Sequence, residues 1–214
     1  MTFKTHRQFA VFWAYAGTVL LYIRGMTEIN YYLALIVIVP LAKLGAEFPD
    51  IDHNWANVKT KNAITWVVNK LIHMTGGIHR SWQTHSIDIA LIATFLSYYL
   101  PRKLFELGKT SPVNREVLSI IMVGFALGWL SHLFSDMLTS GKVKLTCLLP
   151  LKVGLVPKKL FGLKFNTGNE WENFVYNVTG MINRLAGIAA ILFPLFYSET
   201  GKKIIAKIIE GIGG

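Results

Sequence analysis

The chain has 214 residues, 52% hydrophobic and only 16% charged, with 22 Lys plus Arg against 12 Asp plus Glu for a net charge of +10. A soluble domain usually carries about 25% charged residues. With a mean hydropathy of +0.42, this composition excludes a disordered chain, a nucleic-acid arm and an ordinary cytosolic enzyme, and it points to the membrane.

In chain order, apolar stretches cover Phe9–Ile23, Ile29–Leu44, Ile87–Leu100, Val117–Leu133 and Leu185–Tyr197. Each is shorter than the ~20 residues that cross a bilayer comfortably, so any one alone also fits a buried helix of a soluble all-α protein. Five among so few charges favour helices that span or embed in a membrane. Pro40, Gly187 and Pro194 are tolerable there, because neighbouring helices satisfy freed backbone groups. Lys4 and Arg7 resemble the basic start of a signal peptide, but no A-x-A-like cleavage site follows, so a retained first helix is expected. Asn54–Lys70 and Gly141–Thr167 read as two long polar connections. Cys147 is the one cysteine, which rules out an intrachain disulfide or a Cys-rich zinc module.

The expected fold is therefore all-α: a polytopic helical membrane protein with about five spanning or embedded helices. Residues 1–200 form one domain and 201–214 an amphipathic basic tail. In that tail Ile204, Ile205, Ile208, Ile209 and Ile212 recur at helical spacing, with lysines on the other side. Such a helix suits the interface of an anionic lipid surface.

Histidines and carboxylates cluster at the ends of the apolar stretches: His6; Asp50, Asp52 and His53; His79 and His85; His132 and Asp136; Glu172. Neutral imidazole and carboxylate suit Zn²⁺ and, less exclusively, Mn²⁺ or Fe²⁺. His132 and Asp136 are four apart and share a helical face. Asp50 and Asp52 flank Ile51 after a proline, where an extended turn puts both carboxylates on one side. His73 reads as structural. Walking the chain through five spans lands every group of the cluster on one side of the membrane, and ionisable residues at membrane depth read as functional. Outside the spans that side holds twelve Lys and Arg against eight on the far side, a lean toward the cytoplasm.

The strings LGAEFPDIDH, HRSWQTHS, GWLSHLFSDMLTSGKV and GNEWENF resemble the LexA-regulated, membrane-bound, metal-dependent hydrolase family. That family reads PDIDH, HR-x-x-THS, SH-x-x-x-DMLT and GN-x-x-E, after a histidine near the N-terminus. The likeness runs from His6 to about Phe174, in order. It implies metal-ligand roles for His6, Asp50, Asp52, His53, His79, His85, His132, Asp136 and Glu172. Three residues, Ser81 to Gln83, separate Arg80 from Thr84 where the family shows two, which shifts His79 relative to His85. More distantly, the pattern is similar to the all-α zinc phospholipase C and P1-nuclease group, a fold-level analogy.

The expected function is a membrane-bound, metal-dependent hydrolase of a phosphoester such as a phospholipid, using a metal-activated water. Nine candidate ligands exceed the three plus water of a single catalytic zinc, so two or more ions, most simply Zn²⁺, are expected. Asp52, His85, Asp136 and Arg80 are the expected catalytic residues. Arg80 steadies a phosphate, and Thr84 and Ser86 orient ligands. Expected partners are the bilayer and the substrate, with no specific nucleic acid. The alternative is a metal transporter or a metal-binding membrane protein without hydrolysis, although transport sites usually sit at the bilayer midplane. No HExxH motif for a zinc protease and no Gly-x-Ser-x-Gly elbow for a serine lipase occurs.

Overall fold

The computed structural model describes residues 2–55, 61–77, 80–138, 142–148, 151–155, 159–160, 163–164 and 168–213. The long helices are α1 (Phe3–Ile23), α2 (Glu28–Glu47), α5 (Ile87–Glu106), α6 (Pro112–Met137) and α7 (Glu170–Tyr197). Shorter helices are α3 (Ala63–Met74), the single turn α4 (Trp82–His85) and α8 (Glu199–Gly213). Each apolar stretch grows in the structure because polar caps and charged end turns extend it. Ser111 accepts from the Asn114 amide ahead of Pro112, and Asn169 accepts from the Glu172 amide, the usual way of satisfying orphan donors at a helix start.

The protein is an all-α membrane protein, and fewer than five of its described helices have by themselves the length and apolar content of a span. Among the described residues three segments are long and apolar enough to cross a bilayer: Asn30–Asp52, Pro112–Met137 and Glu170–Tyr197. Helices α1 and α5 have comparable lengths, 21 and 20 residues. Their end turns carry Lys4, His6 and Arg7, or Asp88, Arg102, Lys103 and Glu106, which lowers their apolar content. The outer faces are apolar: Ile36 is 72% exposed, Phe95 63% and Leu185 62%. Apolar surface on this scale is what lipid covers and water does not.

Both polar connections also hold more structure than their composition suggested. The first runs into α3, started by a reciprocal capping box in which Asn62 accepts from the Thr65 amide and Thr65 from the Asn62 amide. The second carries two small antiparallel hairpins, β1 (Val143–Lys144) with β2 (Lys152–Val153), and β3 (Lys159–Leu160) with β4 (Leu163–Lys164). Asp88, in the first turn of α5, anchors this loop by accepting from the Cys147 amide (2.8 Å).

The bundle core lies between α1, α2 and α6 and is built from small residues. Ala10, Ala14, Ala34, Ala42 and Ala46 are essentially fully buried there. A Cβ placed on Gly128 would lie 1.9 Å from the Ala42 carbonyl oxygen, and one on Gly45 would lie 1.9 Å from the Phe125 carbonyl oxygen. Backbone therefore meets backbone along the Gly124-x-x-x-Gly128 stripe, the packing that membrane helices favour when apolar burial gives no preference.

This stripe also sets the direction of the helices. Gly124 faces Ile38, Gly128 faces Ala42 and His132 faces Ala46, so α2 and α6 run parallel. His6 meets Asp136 while Gly17 meets Leu127, so α1 runs against α6. Thr5 meets Glu172 and Tyr15 meets Gly187, so α7 runs with α1. The end of the bundle that carries the histidines and carboxylates is one end, as the walk along the sequence required.

Candidate metal centre

The two aspartates after α2 sit in a 3-10 turn, Pro49–Asp52, and not in the extended turn expected from the proline. The turn sends them apart. Asp52 is fully buried, while the Asp50 side chain is 26% exposed. Asn69 of α3 braces the turn by donating to the carbonyls of Ile51 (2.5 Å) and His53 (2.9 Å). The sequence reading passed over Asn69. Its one signal in the sequence is an amide among apolar residues, in a stretch that reads as a polar connection.

His132 and Asp136 lie one turn apart on α6, with Nε2 to Oδ2 at 3.8 Å. His6 joins them from α1, its ring stacked on His132 with centroids 3.8 Å apart and its Nε2 3.5 Å from Asp136 Oδ1. His85 joins from α4, with Nε2 3.9 Å from Asp136 Oδ2. Asp50 Oδ1 is 3.8 Å from His132 Nε2. Two overlapping donor groups result, His6 with His132 and Asp136, and Asp50 with His85 and His132, each with its ligand atoms within 4.8 Å of one another.

The hydrogen bonds fix which nitrogen of each ring faces this cluster. His132 Nδ1 donates to the Ala46 carbonyl (2.7 Å). His85 Nδ1 donates to Asp52 Oδ2 (3.1 Å). The Ser135 hydroxyl donates to the His132 carbonyl (2.8 Å), which leaves it to accept from His6 Nδ1. All three protons sit on Nδ1, so all three Nε2 lone pairs turn inward toward carboxylate oxygens. Burial, with the neighbouring His132 ring, pushes His6 well below its ordinary pKa and keeps it neutral.

Lone pairs facing carboxylates at 3.5–3.9 Å without a proton between them repel, unless a cation lies among them. Tetrahedral ligands about 2.0–2.1 Å from a zinc ion sit ~3.4 Å from one another, a few tenths of an ångström inside these separations. His132 Nε2 is buried with no hydrogen-bond partner among the described residues. The donor set fits a divalent metal.

The remaining expected ligands lie elsewhere. Asp52 belongs to neither donor group; its Oδ2 accepts from the Thr84 hydroxyl (2.5 Å), the Ser81 amide (3.3 Å) and His85. It orients His85, as carboxylates behind metal-bound histidines do. Glu172 accepts from the Thr2 amide, the Thr5 hydroxyl (2.7 Å) and the Gly168 amide (2.6 Å), which ties α7 to the first turn of α1. His53 stands 3.8 Å from Asp50 Oδ1 and is in neither group. His79 lies outside the described residues. Arg80 Nη2 is 3.4 Å from Asp136 Oδ2, with its side chain 35% exposed. Arg80 also has a φ of 62°, a left-handed conformation that costs a non-glycine residue about 1–3 kcal/mol. Ser86 bonds Asp88, and His73 donates to backbone carbonyls, with Nδ1 2.8 Å from that of Gly77 and Nε2 3.3 Å from that of His53, a structural role.

If Asp52 acts by orienting His85, Asp52→Asn should weaken metal binding about 10–100-fold while leaving helicity unchanged. Competition against a fluorescent zinc chelator, alongside circular dichroism, checks this. Wild-type affinity in the variant would remove the orienting role.

Compared with known families, residues 1–207 match the model described as YdjM inner membrane protein. The inner membrane protein YdjM of Escherichia coli (strain K12) is 30% identical over 141 residues, and so is that of Shigella flexneri. Those residues are 64% of this chain and 60% of either relative. No solved structure matches.

Proposed function

Because the chain belongs to the YdjM inner membrane protein family, whose model covers the whole donor cluster, we propose that it is a membrane-bound, metal-dependent hydrolase of a phosphoester such as a phospholipid. One observation carries the reading: three buried histidines from three helices commit Nδ1 to acceptors and turn Nε2 toward Asp50 and Asp136. His6, Asp50, His85, His132 and Asp136 would hold the metal, most simply Zn²⁺. Asp136 presents Oδ1 to His6 and Oδ2 to His85 and His132, which suits a carboxylate shared by two ions. Bound there, divalent ions would lower the pKa of water and polarise a phosphoryl oxygen. Arg80, partly exposed beside Asp136, supplies a guanidinium to orient an anionic oxygen. Asp52 and the Ala46 carbonyl hold the His85 and His132 protons in place.

Elemental analysis of detergent-purified protein, followed by a screen of phosphodiesters and phospholipids, tests this. Bound divalent metal is expected, with turnover that chelation removes and Zn²⁺ or Mn²⁺ restores. Activity that survives exhaustive chelation overturns it. The near-complete burial of His85, His132 and Asp136 favours a second reading, a metal-binding or transporting protein without hydrolysis. Retained metal, flux in proteoliposomes and no ester turnover would select that reading.

We place the centre on the cytoplasmic side, from the twelve-to-eight excess of Lys and Arg. In a Cys147→Ser background, Lys61→Cys at the metal end should react with an impermeant maleimide only in inverted vesicles, and Lys109→Cys at the far end only in right-side-out ones. The opposite pattern reverses the orientation.

A further inference from the structure

The end of the bundle away from the metal centre holds a second polar feature. A cavity of about 110 Å³ is lined by Arg24, where α1 ends, Arg102 of α5, and Arg115, Glu116 and Ser119 of α6. Three guanidiniums face one carboxylate there. That carboxylate, Glu116, is already engaged by Arg115 (3.8 Å) and by the Asn30 amide group. Arg102 meets Glu106 at 3.7 Å, an exposed pair with side chains 64% and 52% accessible, which solvent weakens. Arg115 is held in place by lying over the Phe105 ring, 4.9 Å from its centroid.

A second, almost wholly apolar groove of about 310 Å³ shares Glu116 and runs from it between α2 and α6. Leu33, Val37, Val117 and Ile121 line it and are between 43% and 55% exposed. On α6 Val117 follows Arg115 by about half a turn and Ile121 by nearly two turns, so the groove leads from the charged end toward the middle of the bundle. A charged cavity that adjoins an open apolar groove at Glu116 has the polarity of an amphiphile. A free anion would use the cavity and leave the groove exposed.

We propose that this end of the bundle binds an anionic phospholipid, with its phosphate taken by Arg24, Arg102 and Arg115 and an acyl chain laid along Leu33, Val37, Val117 and Ile121. Guanidiniums are well suited to phosphate, which they grip bidentately. The site is at the opposite end of the helices from the histidine cluster and does not depend on any reaction there.

The test titrates the detergent-purified full chain with phosphatidylglycerol, phosphatidylcholine and inorganic phosphate, read by thermal unfolding and native mass spectrometry. Phosphatidylglycerol should raise the unfolding temperature and persist as a bound adduct, and the other two should do neither. A basic side chain near an anionic lipid is worth roughly a factor of five in affinity. The exposed pair Arg24→Gln/Arg102→Gln should therefore bind phosphatidylglycerol about 25-fold more weakly, with metal content unchanged. Val117→Trp, which fills the groove from a half-exposed position, should weaken it as well and serves if the arginine variant folds poorly. An equal response to inorganic phosphate or phosphatidylcholine, or wild-type binding by the folded variants, overturns the proposal.

Discussion

Replacing Asp136 by Ala should lower the metal affinity of the purified protein at least ~100-fold and abolish the proposed hydrolysis with it, since even residues behind the ligands cost 10–100-fold. Asp136 is only 2% exposed and is the group on which His6, His85, His132 and Arg80 converge, at 3.4–3.9 Å. Without it, Asp50 is the one carboxylate left in the two donor groups. The packing of α6 on α2 runs through Gly124 and Gly128, not Asp136, so helicity and detergent stability should change little. Added Zn²⁺ or Mn²⁺ should restore chelated wild type but not the variant. Equilibrium dialysis with elemental analysis measures the first effect and ester turnover the second. A variant that keeps full metal content and full turnover would show that the cluster is not the centre.

Replacing Gly128 by Ala should lower the unfolding temperature by about 5–10 °C. Overpacking a close-packed contact typically costs about 1–3 kcal/mol, and each kcal/mol moves the midpoint of a protein this size by roughly 2–4 °C. The upper part of that range applies because the new methyl meets the Ala42 carbonyl oxygen at 1.9 Å. That oxygen is backbone and cannot rotate away, so α2 and α6 must part. Metal affinity should fall too, because one turn further on the same approach brings His132 Nδ1 to the Ala46 carbonyl. Gly180→Ala is the control. Its added methyl would lie 3.5 Å from the end of the Gln8 side chain, an ordinary contact, and its stability should match or exceed wild type. Equal unfolding temperatures for the two variants would mean that the Gly128 contact does not control helix packing.

The linear pattern determined the class and the end of the bundle at which the chemistry collects. Apolar stretches that begin and end at His6, Asp50, His85, His132 and Asp136 make an alternating bundle put these residues together, whichever helices cross the bilayer. Spacing also sufficed for His132 and Asp136, because four residues along a helix is a fixed geometry. The number of spans was not legible, since length and polarity at the helix ends decide it and caps such as Ser111 and Asn169 lengthen the helices beyond their apolar cores. The division of labour among the acidic residues belonged to the tertiary structure. Asp50 and Asp52 are two residues apart in sequence, yet a 3-10 turn braced by Asn69 sends one toward His132 and the other behind His85. Glu172 reads as a ligand in the motif but is taken up by the amides and hydroxyl of the α1 start and by Gly168. Each of these outcomes depends on which donors arrive from distant segments. Residue type gives a carboxylate its capacity to bind metal, and the competing hydrogen bonds of the folded chain decide whether it is left available to do so.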